Sequence, residues 1–117
     1  MDENVREASG EVLAQMRSAF DAGEWTKTLS LCQQLLRMNP GRARRLEARC
    51  LAVRALARNG QRREARDLVK ELDSKAYKKP VHYEFLAFAY LELKQYENAA
   101  KACQRAEELR LSEEAAG

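Results

Sequence analysis

Asp21-Ala22-Gly23-Glu24-Trp25 separates two runs in which apolar residues recur at spacings of three and four. Before it stand Val12, Leu13, Met16, Ala19 and Phe20, and after it Leu29, Leu31, Cys32, Leu35 and Leu36. Each run has the period of a helix with one buried face. Gly23 can adopt the left-handed conformation that ends a helix without strain on a Cβ, so the stretch predicts a helical hairpin. The same punctuation returns as Arg58-Asn59-Gly60-Gln61-Arg62 and, without glycine, as Leu93-Lys94-Gln95-Tyr96-Glu97. Gly23, Gly60 and Lys94 are 37 and then 34 residues apart, a period that marks stacked supersecondary units.

Working outward, the pattern predicts three helical pairs: 9 to 22 with 25 to 38, 42 to 59 with 62 to 75, and 80 to 93 with 96 to 110. Asn39-Pro40 and Lys79-Pro80 place proline where its fixed φ and missing N–H suit the first turn of the next helix. The three additional residues of the first interval fall in 41–45 and are expected to lengthen the third helix or its entry loop. One domain is expected over residues 1–117, with repeats at about 9–42, 46–79 and 80–113 and short N- and C-terminal tails. The tail after Leu111 reads as too short and polar to cover the last helix, whose Ala99, Ala102 and Ala106 are expected to be exposed with Leu109. That exposure leaves homodimerisation open.

Composition agrees with an all-α chain. Ile is absent, Val and Thr together number seven, and 5 Gly and 2 Pro leave little material for a β-rich protein. No apolar run approaches the ~18 residues of a membrane span, and the acidic start Met1-Asp2-Glu3 is unlike a secretory signal, so a cytoplasmic protein is expected. Cys32, Cys50 and Cys103 are odd in number and widely spaced, and read as reduced core thiols.

The residues of the three units resemble the tetratricopeptide repeat family. In the third unit Tyr83, Leu86, Ala87 and Tyr90 stand at the family's Trp, Leu, Gly and Tyr positions, and Ala99 and Ala106 at its two second-helix alanines. The second unit matches with Ala52, Val53, Leu56, Ala65 and Leu72. The first departs, with Thr28 at the small-alanine site and Gln15 at the leucine site, while Trp25 and Pro40 fall where the pattern has them. The resemblance implies an α-solenoid of three helix-turn-helix units in a right-handed superhelix, whose first helices line a concave face that holds a partner peptide or helix.

Carried over position by position, that resemblance assigns to the groove Leu13, Arg17 and Phe20; Glu47, Cys50, Leu51, Arg54 and Arg58; and Glu84, Phe85, Phe88 and Leu91. The family's clamp for acidic chaperone tails is not expected, because its places hold Leu13 and Arg17, Leu51, and Val81 and Phe85. The charge is +3 in total but −2, +8 and −3 over residues 1–41, 42–79 and 80–117, with nine arginines between Arg42 and Arg66. A protein partner carrying apolar and acidic residues is therefore expected. The same arginines could attract phosphate, yet the flanking units are acidic and no nucleic-acid motif is present, so nucleic acid is not the favoured partner.

Catalytic patterns are missing. There is no glycine-rich phosphate loop, paired-Cys motif or His-Glu metal motif, and the single histidine, His82, reads as an ordinary surface or helix-start residue. No enzyme, cofactor, metal or membrane role is expected. The expectation is a non-catalytic adaptor or chaperone, in size and repeat number resembling the chaperones of bacterial secretion substrates. The alternatives are a nucleic-acid accessory protein using the arginine-rich second unit and a self-assembling structural subunit.

Overall fold

The computed structural model describes residues 3–116. Among them are six helices and no strand: α1 (Glu3–Asp21), α2 (Trp25–Arg37), α3 (Arg42–Arg58), α4 (Arg62–Asp73), α5 (Pro80–Glu92) and α6 (Tyr96–Ala116). None of them is long and apolar enough to cross a membrane.

The three tight turns are built alike. Gly23, Gly60 and Lys94 have φ of 75°, 84° and 59°. In each case the next residue's N–H donates to a carbonyl five residues back: Glu24 to Ala19 at 2.9 Å, Gln61 to Leu56 at 2.8 Å, Gln95 to Tyr90 at 3.0 Å. This is the Schellman closure, which satisfies a carbonyl that the ending helix would otherwise orphan. Asn39, with φ of 53°, ends the α2 segment in the same region, but Pro40 has no N–H to complete the closure. Pro80 occupies the first turn of α5, whereas Pro40 lies ahead of Gly41, the residue that caps α3.

Each turn folds its two helices into a hairpin, α1 on α2, α3 on α4 and α5 on α6. The first helices also meet one another, α1 on α3 and α3 on α5, while α2 packs on α3 and α4 on α5. The backbones of α2 and α4, and of α4 and α6, do not come close. Two core clusters follow from this order. Leu13, Met16, Leu35, Ala48 and Ala52 fill the space among α1, α2 and α3. Val53, Val69, Leu72, Leu86, Tyr90 and Ala106 fill that among α3 to α6. Thr28 of α2 is fully buried without becoming a polar orphan, because its hydroxyl donates to the Glu24 carbonyl at 2.8 Å.

The ends differ from the expected short tails. α1 begins at Glu3 and α6 continues through Ala116. The added turn of α3 explains the first. Arg44 donates to the Arg6 carbonyl and, at 2.8 Å, to Ser9 Oγ, passing so close to Gly10 that a Cβ there would lie 3.3 Å from its guanidinium. Arg42, on the same turn, donates to the Ala76 carbonyl at 2.8 Å and lies over the Tyr77 ring. Ala99, Ala102 and Ala106, expected on the surface of α6, are buried against α5, since alanine is what lets two helices approach closely. His82, read as an ordinary surface or helix-start residue, stands in the first turn of α5 and is buried there, edge-on to Tyr77. Cys32 and Cys50 are core thiols as expected, but Cys103 is exposed because it faces away from α5.

Candidate functional site

Residues one turn apart on three adjacent helices build a cleft. Arg17, Phe20 and Asp21 come from α1, Glu47, Cys50, Leu51 and Arg54 from α3, and Phe85 and Phe88 from α5. Their spacings of three and four put each set on one helix face. The cleft encloses about 340 Å³.

Its chemistry is a layer of cations on aromatic faces. The Arg54 guanidinium lies 4.6 Å from the Phe20 ring centroid and 5.9 Å from that of Phe88. Arg58 lies 4.8 Å from Phe20 and 5.4 Å from Trp25, whose ring meets Phe20 edge-on at 5.3 Å. Such contacts spread the guanidinium charge over the ring quadrupoles while leaving its N–H groups to hydrogen-bond in plane. Those N–H groups find carboxylates of the chain itself. Glu92 Oε1 accepts from Arg58 Nε at 3.0 Å and from Arg54 Nε at 3.5 Å, and Glu47 accepts from Arg17 Nε at 2.7 Å. The cations predicted to meet a partner's acid are therefore already paired inside the protein.

Of the expected groove residues, Arg17, Phe20, Glu47, Cys50, Leu51, Arg54, Phe85 and Phe88 come together here. Four do not. Leu13 is buried in the core beside Ala48 and Ala52, whose small side chains let α3 close over it. Glu84 turns toward α6 and pairs with Arg110. Arg58 is not among the lining residues but lies at the edge of the cleft, over Phe20 and Trp25, and Leu91 is 46% exposed beyond its rim. Sequence reasoning missed Asp21 and Glu92. Both were legible as acids one helical turn beyond assigned positions, Arg17 and Phe88.

Cys50 forms part of the cleft floor, and burial pushes its thiol up to about 12, so it stays protonated and is a poor nucleophile at neutral pH. Cys32 is likewise raised by burial, to about 11, and donates weakly to the Ala48 carbonyl. Among the described residues no group of three His, Cys, Asp or Glu side chains could hold a metal ion.

Comparison with protein-family models, with curated proteins and with solved structures found no match for this chain.

Proposed function

We propose that this chain is a non-catalytic protein-binding module, an adaptor or chaperone, whose three hairpins are tetratricopeptide-like units of a right-handed solenoid and whose cleft between α1, α3 and α5 holds a partner's amphipathic helix. Three turns closed by the same hydrogen bond and the packing of first helices side by side support the repeat reading. The observation that carries the binding reading is Phe88. It is 56% exposed at the cleft, followed by Leu91 at 46%, on a helix whose other large side chains are mostly covered. An aromatic ring left in water beside a concave surface is the anchor that an apolar partner face would cover.

The partner's apolar residues dominate in this reading. An acidic residue could reach Arg54 only by exchanging with Glu92, which trades one charge-assisted bond for another and gains little. A cytoplasmic setting and the covering of an aggregation-prone segment before export fit a module of this kind. The arginines of the second unit support the nucleic-acid alternative less, because Arg42, Arg44, Arg49, Arg54 and Arg58 are all engaged within the chain.

Differential capture tests the proposal. The native chain and its Phe88→Asp variant, each immobilised and exposed to the source cell extract after nuclease treatment, should differ by one strongly retained protein that the variant loses. Phe88 is exposed, so the variant should keep the native helical circular dichroism. Identical captured sets from the two baits would sink the cleft assignment.

A further inference from the structure

A second surface lies on the layer of second helices. Because the backbones of α4 and α6 stand apart, a furrow runs between them, floored by α5 through Tyr83 and Tyr90. It consists of two hollows of about 300 and 330 Å³ that share Asn98 as a wall residue. Arg66 and Lys70 line it from α4, Lys75 from the segment after α4, and Lys101 and Arg105 from α6.

Unlike the arginines of the cleft, Arg66, Lys70, Lys75 and Lys101 take part in no ion pair among the described residues, and Arg105 pairs only with the exposed Glu108. Two carboxylates, Asp67 and Asp73, stand among them, and Asp73 is occupied by the Tyr90 hydroxyl. Arg105 also lies over the Tyr83 ring, at 5.7 Å, and the furrow as a whole keeps an excess of positive charge.

We propose that this furrow is a docking surface for an acidic peptide segment in extended conformation. The charge asks for an anion, and the spacing and the neutral groups select its form. Arg66 and Lys70, and likewise Lys101 and Arg105, are one helical turn apart, about 6 Å along each wall. Side chains on one face of an extended strand repeat every two residues, at about 6.6 Å, so alternate acidic residues would meet successive cations. Gln95 and Asn98 also line the furrow, and the Asn98 amide already donates to Gln95 Oε1 at 3.0 Å, which leaves that pair both an N–H to give and an oxygen to accept. Peptide backbone needs both kinds of group, whereas a phosphodiester offers only acceptors. The 12 residues of α4 span about 18 Å, room for about six extended residues with three acids facing inward.

This surface is independent of the aromatic cleft, and the experiment separates them. Fluorescence anisotropy would follow a labelled peptide in which Glu alternates with Val, against a single-stranded oligonucleotide of equal charge. The native protein and the Phe88→Ala variant should bind the peptide alike. Lys70→Glu combined with Lys101→Glu should weaken binding by about tenfold or more, and Lys70→Ala with Lys101→Ala by less. Both lysines are exposed, and unchanged thermal melts would show that the variants are folded. Failure of the native protein to bind the peptide, indifference to the lysine substitutions, or tighter binding of the oligonucleotide would each overturn the proposal.

Discussion

His82 shows how one buried side chain sets a pH dependence. Neither ring nitrogen has a hydrogen-bond partner, and burial first, then Arg42 and Lys79, lower its pKa below the usual 6.5. In the unfolded chain the imidazole takes up a proton near 6.5, while in the native state it resists doing so until lower pH. Between the two values the unfolded state holds more protons, so stability is complete above about 6.5 and falls as the solution is acidified. No second histidine shares that window. Thermal melts should therefore fall as the pH drops from neutral through about 6.5, and His82→Phe, which keeps a ring edge against Tyr77, should flatten the curve. An unchanged slope in the variant would assign the loss to other groups. The tyrosines beside it follow another logic: Tyr77 donates to the Leu72 carbonyl at 2.6 Å and Tyr83 Oη accepts from the Tyr77 N–H at 3.1 Å, so the α4–α5 connection is pinned by satisfied polar groups.

At the scale of the element, the helix ends carry the most exposed strain. Lys94 holds a left-handed backbone that glycine adopts freely and that costs an L residue about 1–2 kcal/mol. Lys94→Gly keeps the turn and removes that strain, partly offset by the greater freedom of glycine in the unfolded chain. A net gain of about 0.5–1 kcal/mol is expected, seen as a rise of about 2–5 °C in Tm. Gly60→Ala is the complementary measurement. No atom would crowd the new Cβ within 4 Å, so its loss of about 1 kcal/mol should come from backbone conformation alone. Equal stability of both variants and the native chain would mean that the turns relax out of the left-handed region.

On the scale of the whole molecule, Glu92 links three hairpins. It holds Arg54 and Arg58 of α3 from α5, and those guanidiniums lie on Phe20 and Trp25 of the first hairpin. Its side chain is 18% exposed, so solvent screens the pair only in part. Glu92→Gln should cost about 1–2 kcal/mol by leaving two adjacent guanidiniums without a counter-charge. In a double-mutant cycle Arg54→Ala should then cost less than it does alone. Additive costs would show that the linkage is structural decoration. The Cα radius of gyration, 14.5 Å against about 13 Å for a compact chain of this length, fits such a flat arrangement of two helical layers, held across its open face by side-chain linkages.

The sequence by itself determined the helical class, the positions of the three tight turns and most of the residues around the cleft. These are local properties: hydrophobic period, left-handed turn residues and one-turn spacings act within a few residues of each other. Tertiary structure alone decided what the arginines do. Nine of them in one segment read as a surface awaiting an acidic partner, yet Arg42, Arg44, Arg49, Arg54 and Arg58 reach residues 22 to 38 positions away and find carbonyls and carboxylates there. A long charged side chain is placed by whichever neighbour the packing brings within reach, and that neighbour belongs to another helix or, for Arg42, to the segment between α4 and α5. For the same reason Leu13 and the α6 alanines changed from surface to core, and Cys103 from core to surface. Periodicity states that a helix has a buried face, and only the helix packed against it decides how far around that face extends.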